Sequence, residues 1–552
     1  VRFTNFKDIE RAGGAQEKNM KRRRMLAWSL AAASIAAGHT PTHAQARDII
    51  APKSLSIDSR SVDVLVDAAM RTFGTPGISV GIVKDGELVF AKGYGVGDIG
   101  NPAPVTPETI FAIGSNTKAF TAAALALLVD EGKIGWDDKV IDHLPEFRMY
   151  DPYVTREFTI RDLLTHRSGL PSYAGDLLFV PATDFTREDV VRTLRYLKPS
   201  SSFRSRYAYD NLLYIVAGQI IPAVTGQSWE DFVETRLLRR LGMAPCAVNR
   251  SRLQGVINAA APHSMVGSAM RKVAPDDLEM AGPAGSIQCN IPGMAKWMNM
   301  LLADGGDAAG KPLLSKTQSL ELWTPQTLLP IDREGLAAAA GMRFQSYGLG
   351  WSVADMRGQT LVYHDGEVGG MSSMVALLPE SRFGVVVLAN QQHQATKIAI
   401  TLQIVETFLG GDGQDWVKLL KEASDQEDDQ VRKVAAQVET VLSGKAAAPA
   451  LPLSAYAGTY ADAWRGDVSV SLGKDGLVMR FSRTKGLEGR LYPYSGDMFV
   501  VKWNDRSLNA DAFVRFSQDF GRQVEGFTMR AVSPTTDPSF DFRDLSFRKR
   551  KG

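Results

Sequence analysis

The chain has 552 residues, 44% of them hydrophobic and 22% charged, with a formal net charge of only +2. This is an ordinary globular composition, long enough for two to four domains at roughly 150 residues each. The near-neutral balance leaves no electrostatic footprint for a nucleic-acid partner. Two cysteines, Cys246 and Cys289, cannot build a disulfide framework or a four-thiolate zinc site; they either pair with each other or stay as two buried thiols.

The first element is an export signal. Lys21-Arg22-Arg23-Arg24 is basic, Met25 to Ala37 is apolar, and Ala44-Gln45-Ala46 offers a small-x-small cleavage site after Ala46. Met20 is the natural start of such a signal, which makes residues 1–19 an upstream extension. Arg22-Arg23-x-Met25-Leu26 hints weakly at twin-arginine export. His39, Thr40 and His43 cut the apolar run short of the ~20 residues a membrane span needs, so the expected location is periplasmic or secreted, with no span after cleavage.

From Pro76 the pattern is β. Ile78, Val80 and Ile82 alternate, Asp85-Gly86 turns the chain, and Leu88–Ala91 returns as the second strand of a hairpin. Gly77-Ile78-Ser79-Val80-Gly81 matches the nucleophile-elbow pattern, but Ser79 lies inside an alternating strand and not at a strand-to-helix turn. Gly95-Val96-Gly97-Asp98-Ile99-Gly100 matches a dinucleotide fingerprint, yet Asn101-Pro102-Ala103-Pro104 follows where a helix is required; the match is a turn.

Ser115-Asn116-Thr117-Lys118 then heads a helix that is apolar all round through Leu128, the pattern of a helix buried in a large domain. A hydroxyl and an amine three residues apart share a helix face. A desolvated lysine there can take the serine proton, and the helix N-terminus supplies free N–H groups where an oxyanion would form. Alone, Ser-x-x-Lys turns up by chance about once or twice in such a length. Helical periodicity recurs near 161–166, 212–224, 229–241, 291–302 and 316–323, and strand patterns return at 348–353, 360–363, 373–378 and 384–389. Strands from both ends flanking a helical middle predict an α+β domain over residues 55–410.

A charged helical stretch from Trp416 to Val441 ends in Lys445-Ala446-Ala447-Ala448-Pro449-Ala450, which reads as a linker over 411–450. From Tyr456 short alternating strands with glycine turns predict a small β-barrel over 451–552. None of His143, His166, His263, His364 and His393 has metal-ligand spacing with another ligand, so neither a metal nor a cofactor is expected. His166, at a helix end before Ser168-Gly169-Leu170-Pro171, reads as capping and packing.

Three elements in order lift Ser115 above chance: Ser115/Lys118, Tyr209-Asp210-Asn211, and His364-Asp365-Gly366 followed by Glu367. This order resembles the penicillin-recognising serine hydrolases, the branch of class C β-lactamases, D-alanyl-D-alanine peptidases, D-aminopeptidases and related esterases. Its signatures are Ser-x-x-Lys, Tyr-x-Asn, and Lys-Thr-Gly or His-x-Gly. Leu163–Pro171, Val224-Thr225-Gly226, Leu241-Gly242-Met243 and Tyr347-Gly348-Leu349-Gly350-Trp351 also look familial, and the resemblance covers roughly residues 60–410.

The resemblance implies an antiparallel sheet with a helical subdomain, and Ser115 as the nucleophile of an acyl-enzyme. Tyr209 and Lys118 would share the proton work, the phenol lowered beside a lysine ammonium. Asn211 would bond the substrate amide or Lys118, and the backbone N–H groups of Ser115 and of Glu367, after Gly366, would form the oxyanion hole. The bland readings are a core tyrosine at 209, a helix cap at 211 and a plain N-cap at 115.

His364 is the departure: lysine would be a fixed cation suited to a carboxylate, whereas histidine is shorter and often neutral. Among the proteins it resembles, His-x-Gly looks commoner in peptidases and esterases than in true β-lactamases, so the resemblance implies peptide or amide hydrolysis first, on small peptides that include D-amino-acid-containing or non-ribosomal linear ones such as linearised microcystin. Carboxylesterase activity comes next, then β-lactamase and D-alanyl-D-alanine carboxypeptidase activity; a non-catalytic penicillin-binding-type sensor is the reading from another class. If His364 must be protonated to hold a substrate carboxylate, kcat/KM for acidic substrates falls between about pH 6 and 8. The barrel, opening on Tyr456-Ala457-Gly458-Thr459-Tyr460, resembles the lipocalin-like module of some peptidases of the family, which implies shaping of access or homo-oligomer assembly.

Overall fold

A computed structural model describes residues 58–550 except 254, 277, 308–309, 412 and 445–447. The export segment, residues 20–46, lies outside the described residues. Among the described residues no helix is long and apolar enough to cross a membrane.

Helix α1 (Ser59–Phe73) leads into strands β1 (Gly77–Lys84) and β2 (Glu87–Gly95), the hairpin turning at Asp85-Gly86, both in the left-handed region. The sheet is completed far along the chain by β3 (Thr327–Leu329), β4 (Gln345–Tyr347), β5 (Ser352–Met356), β6 (Gln359–Val368), β7 (Met371–Leu378) and β8 (Phe383–Ala389). Its order is β2-β1-β8-β7-β6-β5-β4-β3, antiparallel throughout. Strands β7 and β8 are buried along their whole length, so they carry apolar residues on both faces and do not alternate. Ile78, Val80, Val385 and Val387 face a layer of α1 and α4 (Gln394–Phe408), while Val375, Leu377, Val386 and Leu388 join the core of the helical middle.

That middle is built round α2 (Thr117–Asp130), buried from Thr117 to Leu128, and α3 (Leu212–Thr225). Phe120 stacks on Trp297 at 3.9 Å between centroids, filling the space beside α2. Cys246 and Cys289 form a disulfide that fixes the chain beside the short strand Gln288–Cys289, itself paired with Phe111–Ala112 just before Ser115. Ser79 is a buried strand residue, as its alternating context indicates, and Gly95 to Gly100 form a turn whose Ile99 N–H donates to His263.

One boundary differs from the sequence pattern. Strand β6 runs past the 360–363 pattern and places His364 in its middle, because it continues through Gly366 to Val368 by pairing with β7 after its pairing with β5 ends at Tyr363. The charged stretch after residue 411 is helical, as its sequence indicates, forming α5 (Trp416–Ser443), and its first turns are docked. Trp416 and Leu420, one turn apart, pack with Phe408 beneath the α1/α4 layer, and the Trp416 indole donates to Glu406 at 2.5 Å.

The C-terminal strands Gly458–Asp462, Gly466–Gly473, Gly476–Phe481, Glu488–Ser495, Met498–Trp503, Ala512–Gln518, Val524–Ala531 and Phe547–Lys549 close into an eight-stranded antiparallel barrel. Leu477, Met479, Phe499, Val501, Trp503 and Phe527 are among the side chains that fill its interior, as the narrow bore of eight strands allows. The barrel grips the helical middle where Arg483 lies 3.7 Å over the Phe185 ring and donates to Asp184 at 2.6 Å.

Candidate active site

Ser115 sits in a single tight turn, Gly114–Asn116, that runs directly into α2. The turn is pinned to the sheet: Asn116 Nδ2 donates to Ser373 Oγ at 2.7 Å, and that hydroxyl donates to the Ile113 carbonyl at 2.6 Å. Close packing against β6 demands glycine on both sides. A Cβ on Gly114, at φ +52°, would lie 2.6 Å from the Glu367 nitrogen, and one on Gly366 would lie 2.0 Å from the Ile113 oxygen. Beyond Tyr363, β6 has only β7 beside it, so its other edge, from His364 to Val368, faces the Ser115 turn.

Lys118, one turn into α2, is wholly buried. Its Nζ lies 3.0 Å from Ser115 Oγ, 2.7 Å from Asn211 Oδ1 and 3.0 Å from the Ala284 carbonyl. Burial holds the ammonium down to about 7, against the pull of Asp176, Asp365 and Asp210. Two of its partners are oxygens that only accept. When the amine is neutral they take its two N–H bonds, and the lone pair is left for the Ser115 hydroxyl.

Tyr209 and Asn211 come from the loop entering α3. Asp210, between them, caps that helix by accepting from Leu213 N–H at 3.3 Å, which frees Asn211 from the capping role its position suggests. The Lys118 donor fixes the Asn211 amide oxygen towards it, so Nδ2 turns the other way and donates to Asp176 at 2.7 Å. Tyr209 reaches Ser115 with its hydroxyl and lays its ring 4.8 Å from Lys118 Nζ. The phenol corrects an expectation: burial pushes it well above 10, and the lysine does not bring it down.

His166 proves to be the packing residue its context suggests, at the centre of an aromatic cluster. Its ring is 4.3 Å from that of Tyr209 and 4.5 Å from that of Tyr347, and its Nδ1 accepts from the Asp210 N–H at 3.0 Å. Burial keeps it neutral.

His364 is also buried. Its Nδ1 faces the Asp365 carbonyl at 2.5 Å, which only accepts, so the proton sits on Nδ1 and Nε2 accepts from the Tyr347 hydroxyl at 2.9 Å. Burial lowers it to about 4 despite neighbouring Asp365. The ring is therefore neutral near pH 7, as a histidine here often is, and locked to Tyr347.

Three supporting groups have no role assigned by the sequence pattern. Lys397 on α4, fully buried, donates to Asp365 at 3.1 Å, to the Gly366 carbonyl at 3.1 Å and to Glu367 at 3.3 Å, and so props the segment of β6 that faces Ser115. Asp176, outside any motif, and Tyr347, within a stretch that only looks familial, carry no role in the sequence because their partners are distant along the chain. A cavity of about 410 Å³ opens beside the end of β6, lined by Ala112, Leu278, Gln288, Val368, Gly369 and Met371 among others. It adjoins the Ser115 turn without including Ser115.

A hydroxyl on a turn between a sheet edge and a buried helix, with a buried lysine against it, defines the class: a serine hydrolase of the β-lactamase fold. The chain belongs to the β-lactamase family, whose model matches residues 62–406, and residues 442–549 match a domain of unknown function, DUF3471. It is similar to unguisins hydrolase ungD' of Aspergillus campestris, 31% identical over 403 residues, covering 70% of this chain and 72% of that protein. Protein flp of Staphylococcus aureus is 28% identical over 351 residues, 61% of this chain and 64% of its own length. Among solved structures, the octameric penicillin-binding protein homologue from Pyrococcus abyssi superposes with a TM-score of 0.57 at 22% identity, covering 90% of this chain and 100% of that one.

Proposed function

We propose that the chain is an exported serine hydrolase that cleaves peptide or amide bonds of small peptides, D-amino-acid-containing or non-ribosomal linear ones among them, through an acyl-enzyme on Ser115. The observation that carries this reading is the Lys118 amine, buried and 3.0 Å from Ser115 Oγ, with its other two partners both acceptors. Neutral Lys118 takes the hydroxyl proton as Ser115 attacks the carbonyl carbon. The resulting oxyanion lies between the Ser115 turn and the β6 edge at Glu367, where each backbone donor contributes roughly 3–4 kcal/mol. The neutral Tyr209 phenol gives its proton to the departing nitrogen as the C–N bond breaks, the proton held on Lys118 replaces it on the phenol oxygen, and water then releases the acid by the reverse order of transfers, the last proton returning to Ser115 Oγ.

The signal-like N-terminus and the Cys246–Cys289 pair support export, since disulfides persist in oxidising compartments. The relative named as a hydrolase of unguisins supports hydrolysis as the chemistry. Esterase activity is the second reading, favoured by neutral His364: it supplies no cation for a carboxylate beside the scissile bond, so uncharged esters suit the same site. A panel of D- and L-peptide anilides, a p-nitrophenyl ester and nitrocefin, with Ser115→Ala as control, tests both. The highest kcat/KM is expected on the peptide anilides; turnover of nitrocefin alone, or equal turnover by the control, would reject the proposal.

A further inference from the structure

The longest connection in the barrel, residues 532–546, leaves the barrel wall and runs against the catalytic domain. It is seated at both ends. Gln392, just after β8, donates to Asp537 Oδ2 at 3.1 Å. On the other side Arg543 donates to the Ser172 carbonyl at 2.6 Å, and the Gly175 N–H donates to Asp541 Oδ2 at 3.3 Å. Phe540 and Phe542 are buried beside it, which fixes the direction of the residue before them. That residue, Ser539, is itself buried and donates its hydroxyl to Asp176 Oδ2 at 2.9 Å.

Asp176 Oδ2 is the same oxygen that accepts from Asn211 Nδ2 at 2.7 Å, and Asn211 Oδ1 accepts from Lys118 Nζ at 2.7 Å. An unbroken chain of hydrogen bonds therefore runs from the barrel to the nucleophile: Ser539, Asp176, Asn211, Lys118, Ser115. We propose that Ser539 is a positioning residue of the active site, so that the C-terminal barrel completes the catalytic machinery as well as adjoining it. The physical reason lies in Asn211. Its amide can hold Lys118 in one orientation only while Nδ2 has a fixed acceptor, and Asp176 is fixed by a second donor that comes from another domain. Without Ser539 the Asp176 carboxyl keeps one donor and can rotate, and Asn211 with it. A misplacement of about 1 Å at a reacting group can cost on the order of a hundredfold in rate.

This inference rests on Lys118 acting on Ser115, and the experiment separates the two. The full chain, Ser539→Ala, Ser539→Thr and Arg483→Ala are compared for the rate of fluorophosphonate labelling, for kcat and KM on an anilide or ester the wild type turns over, and for Tm. Arg483→Ala loosens the barrel where it grips Asp184 and Phe185, outside the chain to Ser115. The expected result is a roughly tenfold fall in labelling rate and kcat for Ser539→Ala, with KM changed less than about twofold. Ser539→Thr, which keeps the hydroxyl, recovers to within about threefold, and Arg483→Ala keeps wild-type rates whatever its Tm. Equal labelling of wild type and Ser539→Ala, or an equal fall in Arg483→Ala, would overturn the role of Ser539. A wild type that takes no label would instead overturn the reading of Ser115 and Lys118.

Discussion

In the proposed mechanism the proton chemistry rests on Lys118. Because its folded-state value is lowered to about 7, the neutral amine becomes the majority form only above that pH. With a neutral peptide substrate, kcat/KM is expected to fall about tenfold per pH unit below that point, as measured in a stopped assay from pH 5 to 8.5. Lys118→Met, similar in volume but without a base, is expected to lower kcat by about a thousandfold, within the range typical of general-base loss. His364 leads to the opposite expectation. Lowered to about 4, it stays neutral from pH 5.5 to 8, so acidic and neutral substrates should share one profile across that window. An additional acid-dependent rise for acidic substrates alone would show a cationic His364. Of these residues, Ser115, Lys118, Tyr209 and Asn211 were legible because helix spacing and short motifs carry them. The charge state of Tyr209 was not, because burial sets it and burial is a property of distant packing.

At the scale of elements, the site is a contact between a turn and a strand edge, made possible by Gly114 and Gly366. Gly366→Ala would drive a methyl group into the Ile113 carbonyl and displace the β6 segment next to Glu367. The expected outcome is a loss of about a hundredfold in kcat, comparable with removal of one oxyanion donor, together with a destabilisation of about 1–3 kcal/mol in urea unfolding. Lys397 holds that strand from behind. Lys397→Met leaves Asp365 and Glu367 without their cation, and a loss of about 2 kcal/mol is expected. This is smaller than for a fully buried pair, because the Asp365 side chain remains 46% exposed. The glycine pattern at 366 was readable from the His-x-Gly motif. The reach of β6 past it was not, since the run from His364 to Val368 mixes charge with glycine and is strand only because β7 pairs with it.

For the whole molecule, α5 and the barrel turn a two-domain reading into a more integrated one. The α+β class and the all-β end were visible in strand periodicity, but α5 looked like a linker because its buried residues, Trp416, Leu420 and Val438, are few and scattered through a charged run. The contact of Ser539 with Asp176 joins residues 363 positions apart, and no local pattern announces it. The Cys246–Cys289 bond closes a loop of sequence separation 43 in the wall behind the Ser115 turn. Its reduction is expected to lower stability by about 2–4 kcal/mol, read as a drop in Tm with dithiothreitol that Cys246→Ala/Cys289→Ala reproduces.

In the proposed mechanism the buried Lys118 makes Ser115 a nucleophile at neutral pH. The most direct measurement is the rate of fluorophosphonate adduct formation as a function of pH, followed by intact-protein mass spectrometry with peptide mapping. One adduct is expected, on Ser115, absent from Ser115→Ala, with a rate that rises with pH through a midpoint near 7 set by Lys118. A rate that is flat with pH, or an adduct that persists in Ser115→Ala, would contradict it.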